Sequence, residues 1–239
     1  MATLFISDLH LEDPRPQMTD LLLKLLAGEA RQAEALYILG DLFEYWIGDD
    51  APSPTAQRVC EGIRGLADTE VPCYFMHGNR DFLLGAQYAR EAGMELLPET
   101  IVIDLYGKPT LLLHGDTLCT DDVEYQAFRQ QVRDPMWQAA FLARSVNERQ
   151  AIAQQARDAS RQYTSSASMG IMDVNQQSVQ QSFADHGVQH MIHGHTHRPA
   201  FHEHRLEDGS VAHRIVLSDW YEKGSVLRVT PEGATMLDW

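Results

Sequence analysis

Five short polar clusters, each set just after an apolar run, constrain this 239-residue chain more than any other feature. They are Asp8-Leu9-His10, Gly40-Asp41, Gly78-Asn79-Arg80-Asp81, His114-Gly115-Asp116 and Gly194-His195-Thr196-His197. Asp, His and Asn are metal-ligand types. An apolar run that stops at such a residue reads as a buried strand delivering it at its carboxyl end, which is where open α/β sheets bind their ligands. In a strand, residues i and i+2 point to the same side. Asp8 and His10 are therefore expected to converge on one ion, and His195 and His197 to reach the same cluster from a loop. Glycines 40, 78, 115 and 194 allow tight turns, so that the side chains crowd inward.

Each cluster alone has a plainer explanation. Asp-x-His at a strand end is ordinary turn chemistry, Gly-Asp carries almost no information, and Gly-Asn-Arg-Asp suits an Asn-stabilised turn before a helix. Gly-His-Thr-His suits surface histidines. Five in succession argue for a dinuclear metallohydrolase. Two divalent ions bring four positive charges, Asp8 and Asp41 remove two, and a bridging hydroxide removes one; the remaining charge matches one phosphodiester. Two ions roughly 3.5–4 Å apart suit in-line displacement at phosphorus. His77 and His193 end apolar runs and are expected to pack or to support a ligand, with Asp81 and Asp116 outside the ligand set.

The periodicities predict strands over 3–7, 35–39 and 71–76, and helices over 18–29, 55–67 and 81–92, which together make a parallel α/β core. A hairpin is expected over 100–114 around Tyr106-Gly107-Lys108-Pro109. Helical sequence fills 121–165, Asp173 is expected to cap a helix over 174–186, and a buried strand covers 190–193. From 199 to 238 strand-like segments alternate with turns. The expected architecture is two sheets face to face with helices outside. Residues 1–120 and 168–239 form the core, and 121–167 an inserted helical cap.

Composition excludes several classes. The net charge of −15 disfavours nonspecific nucleic-acid binding, which needs Lys and Arg on phosphates. Residues 121–165 are neutral by contrast, with six Arg against six acids. The mean hydropathy is −0.31, and no apolar stretch approaches the roughly 20 residues of a membrane span. No basic, cleavable leader precedes Thr3–Ile6, so no signal peptide is expected. Cys60, Cys73 and Cys119 form no CxxC pair, which suits reduced thiols in the cytoplasm.

The ordered set of clusters resembles the calcineurin-like metallophosphoesterase superfamily. Within it, 39–44, 77–85, 114–122 and 193–199 are similar to the UDP-2,3-diacylglucosamine pyrophosphohydrolase family of Gram-negative lipid A synthesis. The resemblance implies a four-layer αββα sandwich with two Mn²⁺ ions. Asp8, His10, Asp41 and His197 would hold one, and Asp41, Asn79, His114 and His195 the other. It implies hydrolysis of UDP-2,3-diacylglucosamine to UMP and 2,3-diacylglucosamine 1-phosphate (lipid X), with metal-activated water attacking the α-phosphorus.

Arg80 is the catalytic candidate. It stands where many members of the superfamily have a His that protonates an alkoxide. A sugar phosphate is a stable leaving group, and a guanidinium gripping phosphate oxygens serves it better. The plain alternative is a surface Arg after a turn. Matching family positions make Asn79, Arg80, Asp122, Ser160 and His195 substrate contacts, with Arg157 a further phosphate or sugar contact. Thr164 and Ala167 depart from the family's Asn and Lys; Thr164 keeps a hydroxyl, whereas Ala167 cannot replace an ammonium.

Two acyl chains need an apolar cover, each buried CH₂ being worth about 0.8 kcal/mol. Phe128, Trp137 and Phe141 of the cap, with Trp46 at its edge, are expected to line that groove; an ordinary small helical core is the alternative. The cap's apolar face and Arg residues imply peripheral contact with the cytoplasmic side of the inner membrane. Two other functions fit the clusters: a dinuclear phosphodiesterase or phosphatase with a different substrate, and a non-catalytic scaffold on the same fold.

Overall fold

A computed structural model describes residues 1–166 and 173–239, excluding the side chains of 161 and 163–166. The Thr164 side chain and Ala167 thus lie outside the described residues. Four parallel strands, β1 (Ala2–Ile6), β2 (Ala33–Leu39), β3 (Cys73–Met76) and β4 (Met94–Leu96), form one side of the first sheet. Antiparallel β10 (Ser225–Thr230) and β11 (Gly233–Asp238) complete it in the order β11-β10-β1-β2-β3-β4. The second sheet combines β5 (Thr100–Leu105), β6 (Lys108–Leu113), β7 (His190–His193), β8 (Ala200–Arg205) and β9 (Val211–Val216) in the order β5-β6-β7-β9-β8.

Burial dictates the layers. Phe5, Leu39, Met76, Leu112, Ile192 and Leu227 meet between the sheets. Outside the first sheet pack α1 (Pro16–Ala27), α2 (Pro54–Ala67) and α3 (Ala86–Ala92), through residues such as Leu22, Leu25, Val59 and Ile63. Outside the second, α7 (Gln176–His186) buries Val179 and Phe183. The four layers are thus the expected αββα sandwich. Between β6 and α7 run α4 (Val123–Val132), α5 (Pro135–Leu142) and α6 (Val146–Ser166). Among the described residues no helix is long and apolar enough to cross a membrane.

Local chemistry moves several expected boundaries. The helix expected from 81 starts at Ala86, because the buried Asp81 carboxylate accepts from Leu42 N at 2.7 Å and Gly78 N at 2.9 Å. That ties 78–81 to the loop after β2 instead of to a helical turn. Asn175, not Asp173, caps α7 by accepting from Ser178 N at 3.1 Å, while Asp173 pairs with Arg198. The hairpin turn is only Tyr106-Gly107, with φ of +55° and +80°, the two-residue geometry that matches strand twist. β4 has three residues, too short for its periodicity to register.

Candidate metal centre

The strands ending at Ile6, Leu39, Met76, Leu113 and His193 deliver the five clusters to one end of the sandwich. Beyond β1 and β2 the pairing continues, with Asp8 N donating to Gly40 O at 3.1 Å and His10 N to Asp41 O at 2.9 Å. Among the described residues, seven non-glycine positions have positive φ, and five of them are Asp8 (+56°), His10 (+49°), Asp41 (+51°), His195 (+70°) and His197 (+54°). Each such position costs on the order of 1–3 kcal/mol and concentrates at functional sites. Asp8 and His10 therefore converge through left-handed turns past the strand end, and not through the i, i+2 alternation expected from the sequence.

All seven expected ligands meet. His197 Nε2 lies 3.4 Å from Asp8 Oδ1 and 3.3 Å from His10 Nε2. Asp41 Oδ2 stands midway, 3.8 Å from both His10 Nε2 and His114 Nε2. Asn79 Oδ1 is 3.0 Å from His114 Nε2 and 2.9 Å from His195 Nδ1. Donors about 2.1 Å from a shared ion lie roughly 3.0–3.4 Å apart, which the contacts of His197 and Asn79 match closely and the wider gaps around Asp41 do not. Atoms of Asp8, His10 and His197 fall within 4.8 Å of one another, as do those of Asp8, Asp41 and His114. Asp8 thus borders both halves of the cluster.

The surroundings aim the donors. His10 Nδ1 faces Glu44 Oε2 at 3.0 Å, and His114 Nδ1 donates to Leu39 O at 2.8 Å, which leaves both Nε2 atoms pointing inward. Asp8 Oδ2 accepts from His195 N at 2.9 Å, and Asp41 Oδ1 from Arg80 N at 2.8 Å. Close packing requires two of the glycines. A Cβ on Gly78 would stand 2.1 Å from Asp41 Oδ1, and one on Gly194 2.2 Å from Asp8 Oδ2.

Charge follows the same layout. Burial works to raise the Asp8 carboxyl, but His197, His114 and His10 outweigh it and hold it well below the usual range. Burial and then the Asp41 charge push Asp81 up to about 6. Burial opposes protonation of His114, yet Asp41, Asp8 and Asp116 raise it to about 8. His193 is buried and pushed down to about 3 by that burial and by Arg214, whose Nη1 lies 3.0 Å from its Nε2. It stays a neutral supporting residue. His77 also turns away, bonding Leu84 O at 2.6 Å.

A cleft of about 470 Å³ opens over the cluster, and Asn79, Arg80, Asp122, Ser160 and His195 all line it. Arg157 lies behind its wall, paired with two residues that line it, Glu12 at 2.9 Å and Glu44 at 3.4 Å. Of the aromatic residues expected in an acyl groove, Trp46, Trp137 and Phe141 pack into or against one core cluster and Phe128 stands apart. Trp46 packs against Phe43 and Tyr88 and donates to Asp49, and Phe141 stacks on Trp137; Trp46 and Phe141 are 7% and 6% exposed. Both sit in the packed core, while Phe128 is 46% exposed.

Sequence reasoning assigned no site role to Glu44, Tyr221 or Tyr125. Tyr221 stacks on His10 with centroids 5.1 Å apart, and no local pattern marks it. Tyr125 donates to Asp116 Oδ2 at 2.8 Å beside His195, and no local pattern marks it either. Glu44 was visible only as the end of the 39–44 run.

Layered sheets carrying this set of donors define a metal-dependent phosphoesterase. The chain belongs to the calcineurin-like phosphoesterase family, whose model matches residues 1–199. It is similar to the UDP-2,3-diacylglucosamine hydrolase of Stenotrophomonas maltophilia strain K279a, 55% identical over 98% of this chain and 96% of the relative. The protein of that name from Escherichia coli strain K12 is 53% identical over 99% of this chain and 98% of its own length. A solved archaeal phosphodiesterase shares the fold, with a TM-score of 0.52 at 12% identity and full coverage of both chains.

Chelation gives a direct check. Dialysis against EDTA is expected to abolish hydrolysis and lower the melting temperature, and divalent metal to restore both. An ion held at 1,000 times its Kd adds about 4 kcal/mol to the folded state. A melting curve and activity indifferent to the chelator would contradict the site.

Proposed function

We propose that this chain hydrolyses the pyrophosphate bond of UDP-2,3-diacylglucosamine, releasing UMP and 2,3-diacylglucosamine 1-phosphate in lipid A synthesis. One observation carries the reading: relatives of that name match almost the whole chain at 53–55% identity. The convergence of Asp8, His10, Asp41, Asn79, His114, His195 and His197 supports it chemically.

We assign Asp8, His10, Asp41 and His197 to one ion and Asp41, Asn79, His114 and His195 to the other, with manganese as the metal. Nitrogen and oxygen donors without thiolate suit it. Bound there, the pair supplies Lewis acidity and an ionised water at neutral pH.

The remaining steps fall to the chain's own side chains. Arg80 Nη2 donates to Ser160 at 3.3 Å, while its buried Nε has no partner. A buried guanidinium N–H left unmatched beside an anion-binding cleft suits a phosphate oxygen. Arg80 grips the phosphate that leaves with the sugar and stabilises its growing charge. Asn79, Asp122, Ser160 and His195 orient the UDP-sugar, and Arg157 reaches its phosphate or sugar from beside the cleft. Helices α4–α6 act as the cap over the acyl chains. Their exposed Val123, Phe128, Met136 and Leu142, with the neutral charge of this segment, suit peripheral contact with the inner membrane.

Turnover of the diacylated substrate with manganese in ¹⁸O-labelled water tests this reading. Attack at the α-phosphorus places the label in UMP, and the bridging oxygen departs with the lipid phosphate. Label in the lipid product, or turnover of simple phosphodiesters alone, would refute it.

A further inference from the structure

Five residues close a circuit of hydrogen bonds and ion pairs beside the cleft, three of them, His10, Glu12 and Glu44, in its wall. Glu44 Oε2 lies 3.0 Å from His10 Nδ1, and Glu44 Oε1 lies 3.4 Å from Arg157 Nη2. The same Nη2 donates to Glu12 Oε2 at 2.9 Å, and Arg15 Nε donates to Glu12 Oε1 at 3.0 Å. Arg15 Nη2 then returns to the His10 carbonyl at 2.5 Å. Four members follow β1 and β2. Arg157 alone comes from α6, and its buried Nε has no partner.

Glu44 is nearly buried and faces two groups that pull on it in opposite senses. A carboxylate on the far nitrogen of a metal-ligating imidazole fixes the ring and raises its basicity. A guanidinium on the other oxygen of that carboxylate draws charge away from the imidazole. The bond to His10 and the ion pair to Arg157 therefore compete.

We propose that Glu44 is a positioning residue for the ion held by His10, and that Arg157 of α6 sets how strongly it acts. This rests on the dinuclear reading above. Any anionic group that draws Arg157 away from Glu44 hands the full carboxylate charge to His10, so filling the cleft tightens the ion beneath it. By linkage, the ion favours the filled cleft to the same degree.

Calorimetric titration of the metal-free full chain with Mn²⁺ tests the proposal without measuring activity. Glu44→Gln keeps the shape and loses the charge. It is expected to weaken one of the two ions by about 10–100-fold and to leave the other unchanged. Arg157→Met is expected to act with the opposite sign, tightening the same ion by roughly fivefold through the carboxylate it releases to His10. Arg157→Lys keeps the charge and should match the wild type. The Glu44→Gln/Arg157→Met double variant should follow Glu44→Gln, because the effect of Arg157 passes through Glu44.

A merely structural role would weaken binding in both single variants. Thermal melts establish that each variant is folded. Equal weakening of both ions in Glu44→Gln, or weaker or unchanged binding in Arg157→Met, overturns the proposal. A wild type that takes up fewer than two ions sinks the dinuclear reading and this inference with it. Two wild-type ions without the opposed shifts sink this inference alone.

Discussion

Asp41→Asn is expected to fold, to take up fewer than two ions, and to lose on the order of 10³-fold in kcat/KM. That ratio corresponds to about 4 kcal/mol of lost transition-state stabilisation, the scale of a metal clamp on a phosphoryl group. Asparagine keeps an oxygen to accept from Arg80 N, so the local backbone survives. It removes the charge whose Oδ2 stands 3.8 Å from both His10 and His114, between the two halves of the cluster. Metal stoichiometry by mass spectrometry, read beside steady-state kinetics, checks both halves of the expectation. Two ions and near-normal kinetics in this variant would show that Asp41 does not join them.

The second large effect comes from a methyl group. Gly78→Ala places a Cβ 2.1 Å from Asp41 Oδ1 and 2.3 Å from Asp41 N, where the neighbour is partly backbone and cannot swing aside. Overpacking typically costs about 1–3 kcal/mol. Here the relief displaces Asp41 itself, so metal uptake and hydrolysis should fall together while the melting temperature drops. Gly65→Ala is the matched control, since nothing lies within 4 Å of its added Cβ inside α2. It is expected to keep full activity and to gain about 0.5–1 kcal/mol from reduced backbone entropy in the unfolded chain. Comparable losses in the two variants would mean that Gly78 is a generic structural glycine.

Much of the architecture was legible because its signals are local. Short apolar segments followed within two residues by Asp or His located β1, β2, β3, β6 and β7, and those strand ends are where the ligands emerge. The boundaries that moved were those set by distant partners. Asp81 abandons a helix start because its carboxylate serves the loop after β2, and Asn175 takes the cap that Asp173 leaves when it pairs with Arg198. The burial of Trp46 and Phe141 could not be read from residue type, since an aromatic side chain serves a groove and a packed core equally well.

The identities of the seven donors and their order along the chain were settled by residue type and spacing, because each cluster is only two to four residues long. How the donors face one another was settled by folding. Left-handed turns at Asp8, His10, Asp41, His195 and His197 aim them, and the packing around them makes those turns tolerable. The bond from His195 N to Asp8 spans 187 residues, and the ion pair from Arg157 to Glu12 spans 145. Contacts at such separations are set by how sheets and helices stack, and no short stretch of chain carries that information.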